Sequence, residues 1–287
     1  MSETSAISQL MASHYATHPL IESMGRASLL NPHFCLPIRE QGQDGWTDAT
    51  DLFLGDDERL CDLMLAYGQN AWGTTNRHAA GSAFIIAYLS RLTWPVIAQY
   101  VIARRVPQVS LNNLAFHQAE SRIDATALSC PSFAALSSDP AAGHPDVEVL
   151  PDETALYLRL KEWLFDSNVS PVIATLHQSG RASLKVSRNA VAASCSQAFN
   201  RLYALADTPD RVVRDAEVFF GDPTSLLFGQ LTMEVFEHQG RRGFFSRRAS
   251  CCLWWRSERS NDYCSNCILL SREQQDERFR EMLDGRR

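Results

Sequence analysis

Apolar residues recur at three- and four-residue steps along much of the chain, and this period predicts a mainly helical protein. The clearest predicted helix begins at Ser187, a suitable N-cap. Its apolar stripe consists of Val191, Cys195, Phe199, Leu202 and Ala206. Because Cys195 lies on this stripe, we assign it to packing and not to a ligand role.

Six further helices are predicted from apolar stripes and end signals. They cover residues 5–15, residues 52–67 with an end at Gly68, residues 79–103, a segment opened by residues 151–153, residues 222–240, and residues 271–283. The fifth is predicted from Asp222 followed by Pro223, which is typical of an N-cap and a first helical position. The last opens with Ser271 and Gln274, which form a capping box.

Strand signals are fewer. Residues 106–118 alternate imperfectly between apolar and polar side chains and predict one or two strands. Residues 129–151 are rich in Pro, Gly, Ser and Ala, which predicts a linker. We therefore predict an α+β fold, predominantly helical, with a small separate segment at the C-terminal end. Its expected parts are a mostly helical part over residues 1–140, a second helical part over 141–240, and a segment with a capping helix over 241–287.

The most apolar stretch, residues 83–102, has the length that spans a bilayer. Arg91 lies near its middle, and a central arginine is costly in lipid. We predict a buried core helix broken near Pro95, without stable membrane insertion.

Composition indicates a globular protein. The chain has 287 residues, of which 45% are hydrophobic and 21% charged, so a sizeable core is available. The residues after Met1 lack the basic and apolar regions of a signal peptide. Cysteines outside the C-terminal group stand singly, at Cys35, Cys61, Cys130 and Cys195. We expect them to be buried free thiols in a reducing, cytoplasmic environment.

Four cysteines near the C-terminal end carry the strongest chemical signal. Cys251 and Cys252 are adjacent, eleven residues follow, and Cys264 and Cys267 form a C-x-x-C pair. A C-x-x-C loop is typical of two thiolates that bind one metal ion. Neighbouring side chains in extended backbone point to opposite sides, so Cys251 and Cys252 suit a [2Fe–2S] cluster better than one tetrahedral zinc ion. Structural zinc remains the alternative.

The residues around these cysteines narrow the interpretation. Residues 247–256 read RRASCCLWWR, and residues 264–269 read CSNCIL. This order of features resembles the C-terminal segment of bacterial siderophore-iron reductases of the FhuF type. The likeness is strong over residues 241–270 and weaker upstream, and the gap of eleven residues is one longer than in that family. The additional residue falls in the polar stretch 257–263, where a loop absorbs it.

The resemblance implies a cytoplasmic ferric-siderophore reductase, in which one electron passes from a [2Fe–2S] cluster to siderophore-bound iron(III) and iron(II) is released. It implies Cys251, Cys252, Cys264 and Cys267 as the cluster ligands. The chain has no G-x-G-x-x-G dinucleotide motif after a predicted strand, so an external electron donor is expected. Trp254, Trp255 and Arg256 are candidates for docking the siderophore, although one tryptophan is equally suited to anchor the site in the core.

The charge of the chain is uneven. Residues 238–287 contain eleven arginines and seven acidic residues, whereas the rest of the chain is net acidic. The better explanation is that arginines such as Arg247 and Arg248 offset the negative charge of a thiolate-bound cluster, and no nucleic-acid partner is predicted. A solvated basic surface is the simpler alternative.

Two alternatives to a reductase stay open. One is a non-enzymatic protein with structural zinc, and the other is a siderophore-binding or iron-sensing module. The eight histidines show no convincing metal-ligand set and are treated as non-ligands. Asn189, beside Arg188, is interpreted as helix N-terminal turn chemistry in preference to ligand binding.

Overall fold

Helices dominate the backbone of the computed structural model, which describes residues 18–40, 44–119, 122–260 and 262–286. The helices are α1 (Pro19–Leu30), α2 (Ala49–Leu54), α3 (Asp57–Trp72), α4 (Arg77–Ala98), α5 (Glu153–Leu160), α6 (Ser170–Gly180), α7 (Leu184–Leu205), α8 (Pro209–Gly221) and α9 (Arg272–Leu283). Wider π-helical turns follow α4 and α5. The predominantly helical α+β fold is confirmed.

Strands form three small sheets among the described residues. They are β1 (Trp46–Asp48), β2 (Arg105–Pro107), β3 (Leu114–Ala119), β4 (Arg122–Leu128), β5 (Phe133–Leu136), β6 (Val147–Leu150), β7 (Leu231–His238) and β8 (Arg241–Arg248). The sheets have the orders β1-β3-β4, β2-β5-β6 and β7-β8, and β5-β6 is the parallel pair. The strands predicted within residues 106–118 correspond to parts of β2 and β3.

Most of the interior is one cluster of buried apolar side chains, with members from Leu20 to Phe244, and a smaller second cluster consists of Trp72, Ala79 and Ala83. The central element of the larger cluster is α4, which packs against α3 and α7. The helical stretch Arg77–Ala103 is long and apolar enough to cross a membrane, but 72% of its most apolar window is buried in the fold. The prediction of a buried helix is thus confirmed. The predicted break at Pro95 is wrong, because the irregular turn comes later, at Gln99–Ala103.

The predicted linker over residues 129–151 is wrong. This segment contributes β5 and β6, and Phe133, Ala134 and Ala135 are fully buried. Small residues permit close packing here, where composition alone suggested a loop. Cys130, expected to be buried, is exposed instead.

The predicted helix over residues 222–240 is also wrong. Asp222 ends α8 and accepts a hydrogen bond from the Thr224 backbone N–H at 2.8 Å, so it caps a turn and not a helix. Residues 231–248 form the β7-β8 hairpin. Its two-residue turn has positive φ at Gln239 (51°) and Gly240 (73°), as type I′ hairpin turns require.

Several helix boundaries differ from the prediction. α3 continues through Gly68 to Trp72 and ends at Gly73, which is left-handed with φ 67°. α7 begins after Ser183, not Ser187, although four of its five predicted stripe residues are buried. The α5 start after Asp152 and the Ser271–Gln274 capping box are confirmed. The predicted helix over residues 5–15 lies outside the described residues.

Candidate metal centre

The cysteine segment connects β8 to α9 and covers one end of α4. At its start, Ala249 donates its backbone N–H to the Gln230 carbonyl at 2.8 Å, which extends the hairpin by one bond. Leu253 then adopts a left-handed conformation with φ 64°, which turns the chain into the short helix Trp254–Arg256. Ser82 of α4 donates its hydroxyl hydrogen to the Cys252 carbonyl at 2.5 Å. The segment is therefore fixed to the helical body immediately beside the first cysteine pair.

The second cysteine pair is held by α9. The Cys267 backbone N–H donates to the Cys264 carbonyl at 3.0 Å, which closes the C-x-x-C turn. Gln275 of α9 donates its amide to the carbonyls of Cys267 and Leu270, each at 3.2 Å. Phe279 of the same helix stacks on Phe245 of β8, with ring centroids 4.5 Å apart. These contacts fasten the C-x-x-C turn to α9 and α9 to the hairpin.

Each cysteine pair has one buried and one partly exposed thiol. Cys252 and Cys267 are 6% and 3% exposed, whereas Cys251 and Cys264 are partly open to solvent. All four are free thiols. A group bound by these four sulfurs would be seated in the protein on one side and open to solvent on the other.

Electrostatic interactions link the four thiols. A hydrogen bond with Cys264 lowers the pKa of Cys252, and the positive charge of Arg248 lowers it further. The same hydrogen bond, with burial, raises the pKa of Cys264. Burial also raises the pKa of the Cys251 thiol. Cys252 therefore ionises first, and the thiolate is the form of cysteine that binds metals.

A second group of possible ligand atoms is formed by three other residues. The ligand atoms of His18, His144 and Asp146 lie within 4.8 Å of one another.

Arg248 is the arginine that faces the thiols. The positive charge of its guanidinium favours the thiolate forms of Cys252, Cys251 and Cys264. Its Nε donates to Oδ1 of Asn189 at 2.9 Å, and the Asn189 amide donates to the Gln230 carbonyl at 2.7 Å. Asn189 lies inside α7 and is 0% exposed, so its assignment to a helix N-terminal turn is wrong.

The other basic side chains of the region have different surroundings. Arg247 forms ion pairs with Glu234 and Asp276 and lies over the Phe279 ring, so it joins β8 to β7 and α9. Arg241 donates to the Leu283 carbonyl at 2.8 Å, and Arg242 is exposed. The local excess of arginine is therefore mostly structural or solvated, with Arg248 as the exception.

The two tryptophans have separate roles. Trp254 packs edge-on against Trp72 of α3, with ring centroids 5.2 Å apart, and so anchors the segment. Trp255 is 46% exposed, and the Arg256 guanidinium lies 5.1 Å from its ring centroid. Trp255 and Arg256 together form an exposed aromatic and cationic surface three and four residues after Cys252.

The His18, His144 and Asp146 group was missed in the sequence because its histidines lie more than a hundred residues apart. Nδ1 of His18 accepts the Leu20 backbone N–H at 3.2 Å and thereby caps α1. The ring proton consequently lies on Nε2, which faces Asp146 Oδ2 at 3.3 Å. In this arrangement the ring is satisfied by a cap and a carboxylate.

Comparison with known proteins gives a distant structural likeness. No family model matches the chain, and no curated protein matches it. Among solved structures, the fold is similar to part of the ATP-bound aerobactin synthetase from a hypervirulent pathotype of Klebsiella pneumoniae, at 16% identity and a TM-score of 0.46. The match covers 58% of this chain and 33% of that protein.

Proposed function

We propose that this protein is a ferric-siderophore reductase with a [2Fe–2S] cluster bound by Cys251, Cys252, Cys264 and Cys267. The observation that carries the proposal is the set of four interacting thiols, half buried and half open, beside the Arg248 guanidinium. The resemblance of residues 241–270 to siderophore-iron reductases gives the substrate class.

When bound, such a cluster supplies a centre that gains and loses one electron at a time. The chain provides the four thiolates, and Arg248 places a positive charge beside them. Ser82 and Gln275 hold the backbone of the two cysteine pairs. These contacts keep the sulfur positions fixed, so little reorganisation accompanies a change of charge.

The substrate requires no acid, base or nucleophile from the protein. Iron(III) in a hexadentate siderophore has no open coordination site, so it is reduced without a bond to a side chain. One electron from an external one-electron donor is consumed for each iron(III) reduced. The product iron(II) binds hard oxygen ligands more weakly and leaves the siderophore. Access is the remaining requirement, and the partly exposed Cys251 and Cys264 satisfy it.

The first test is anaerobic absorption and EPR spectroscopy of the purified protein before and after dithionite. We expect red-brown bands that bleach and an S = 1/2 signal on reduction. The reduced protein, freed of dithionite, should then reduce one ferric siderophore per chain in a single turnover. A colourless protein with one zinc ion per chain after cluster reconstitution would contradict the proposal. A coloured protein that leaves ferric siderophores unreduced would favour an iron-sensing role instead.

Trp255 offers a test of the docking surface. Replacement by Ala removes an exposed aromatic ring and leaves the cysteines and the Trp254 anchor in place. We expect unchanged spectra and a second-order rate constant for siderophore reduction lowered by about tenfold, equivalent to one interaction of about 1.4 kcal/mol. The matched control is Tyr263→Ala, an exposed aromatic residue of the same segment. Equal rates for all three proteins would remove Trp255 from the docking surface.

A further inference from the structure

We propose that Asn189 is a positioning residue that holds the Arg248 guanidinium against the Cys252 sulfur, and that this pair raises the reduction potential of the metal centre. The inference rests on the proposed function, because it needs a redox-active group bound by the thiols. It assigns a role to a side chain that lies more than sixty residues before the first ligand.

The geometry gives Arg248 a defined orientation. Its Nε donates a hydrogen bond to Oδ1 of Asn189 at 2.9 Å, and its positive charge favours the thiolate form of Cys252. The planar fork of an arginine can bind two partners at once from fixed directions. Arg248 is thus directed toward the thiols and away from solvent by a contact from another element, α7.

Asn189 itself is held firmly. It is 0% exposed, and its amide donates to the Gln230 carbonyl at 2.7 Å. That carbonyl also accepts the Ala249 backbone N–H at 2.8 Å. Loss of the Asn189 side chain therefore leaves the Gln230 carbonyl with a partner, and the main effect falls on Arg248.

The charge environment explains why this arginine matters. Arg247, the residue immediately before Arg248, forms ion pairs with two carboxylates, Glu234 and Asp276, which offset its charge. Arg248 has an uncharged partner in Asn189, so its full positive charge acts on the sulfurs. A fixed positive charge favours the reduced form of a cluster, because reduction adds one negative charge.

The test is a redox titration of the iron-loaded protein, followed by EPR. We expect Arg248→Met to lower the reduced-to-oxidised ratio at a fixed potential by about tenfold, which is about 59 mV for a one-electron couple. Asn189→Leu should shift the potential in the same direction by a smaller amount. In the double variant, the shift should equal that of Arg248→Met alone, because Asn189 acts through Arg248.

The control is Arg242→Met. Arg242 lies on β8 six residues before Arg248, about 20 Å along the strand, and is exposed. At 0.15 M salt its charge is screened over such a distance, so the potential should not change. Arg248→Lys should give an intermediate potential, since an ammonium retains the charge without the fork.

Unchanged potentials in both Arg248→Met and Asn189→Leu, with iron content and circular dichroism equal to those of the wild type, would overturn this inference alone. Additive shifts in the double variant would refute the positioning role of Asn189. Should Asn189→Leu not fold, Asn189→Ser fits the same space and provides the same comparison. A wild-type protein that binds no iron after reconstitution would overturn both the inference and the proposed function.

Discussion

The four thiols occupy different surroundings, although the sequence presents them as two simple pairs. The pKa of Cys252 is lowered because its sulfur accepts a hydrogen bond from the Cys264 thiol and lies beside the positive charge of Arg248. Cys195, on the buried stripe of α7, lies in the apolar core, and burial raises its pKa. A thiol that remains protonated and buried is a packing residue, so the prediction for Cys195 is confirmed.

Replacing a ligand should release the metal. We expect Cys251→Ser or Cys264→Ser to lower bound iron by at least about tenfold, since even outer-shell partners of ligands contribute 10–100-fold. Cys195→Ser and the exposed Cys130→Ser are the matched controls and should retain full iron content. Iron per chain and the visible absorption spectrum provide the measurement. A fully coloured Cys264→Ser protein would exclude Cys264 as a ligand.

His18 should make the fold sensitive to mild acid. Burial lowers the pKa of His18 below its ordinary value of 6.5, and the hydrogen bond to Asp146 offsets part of that decrease. The unfolded chain then binds the proton more tightly than the folded chain, so stability decreases as the pH falls below 6.5. The measurement is the urea midpoint at pH 7.5 and at successive steps below 6.5. His18→Asn retains a capping side chain, and its midpoint should fall less over the same range. Parallel decreases in both proteins would exclude His18 as a source of the pH dependence.

At the level of elements, the contact between α3 and α4 depends on a small residue. A Cβ built on Gly68 would lie 2.4 Å from Ala80 Cβ. The sequence suggested that Gly68 ends a helix, but it permits two helices to approach closely in the middle of α3. Helix propensity alone does not distinguish a helix end from a close contact between helices, because a glycine suits both through its lack of a side chain.

Gly68→Ala is therefore expected to destabilise the fold by about 1–3 kcal/mol, the range for overpacked interiors. Gly25 of α1 is the matched control, since a Cβ there meets no atom within 4 Å. Gly25→Ala should stabilise by about 0.5–1 kcal/mol, through reduced entropy of the unfolded chain. Urea denaturation of both variants gives the two free energies of unfolding. A stable Gly68→Ala protein would show that α3 can move away from α4.

For the whole molecule, the important feature is that α4 serves two purposes. Its middle lies in the core, and its first turns support the cysteine segment through Ser82 and through Ala79 and Ala83, which pack near Trp254. The cysteine segment is thus attached to the central helix of the protein. The division at residues 140 and 240 remains a prediction about organisation, although the buried core has members on both sides of both positions.

A shared core should unfold cooperatively. We expect the urea transitions of the iron-free protein, followed by tryptophan fluorescence and by far-ultraviolet circular dichroism, to coincide within error. Three of the six tryptophans precede residue 140 and three follow it, so the fluorescence reports on both sides of the predicted boundary. Two separated transitions would favour independent units and the predicted boundary near residue 140.

The sequence by itself determined the features that depend on nearby residues. Three such features are the apolar stripe of α7, the capping box of α9 and the group of four thiols. Each depends only on residues within a few helical turns or one short loop of one another. The β7-β8 hairpin and the β5-β6 pair were not predicted, because strand pairing depends on partners that a local period does not identify.

Only the tertiary structure decided which side chains surround the thiols. Asn189 reaches Arg248 from α7, Ser82 reaches Cys252 from α4, and His18 meets Asp146 across 128 residues. Such contacts result from how the helices and the hairpin pack, and no spacing in the sequence encodes them. The donor atoms of the candidate centre are thus a property of a short segment, whereas its charge environment and its exposure are properties of the whole fold.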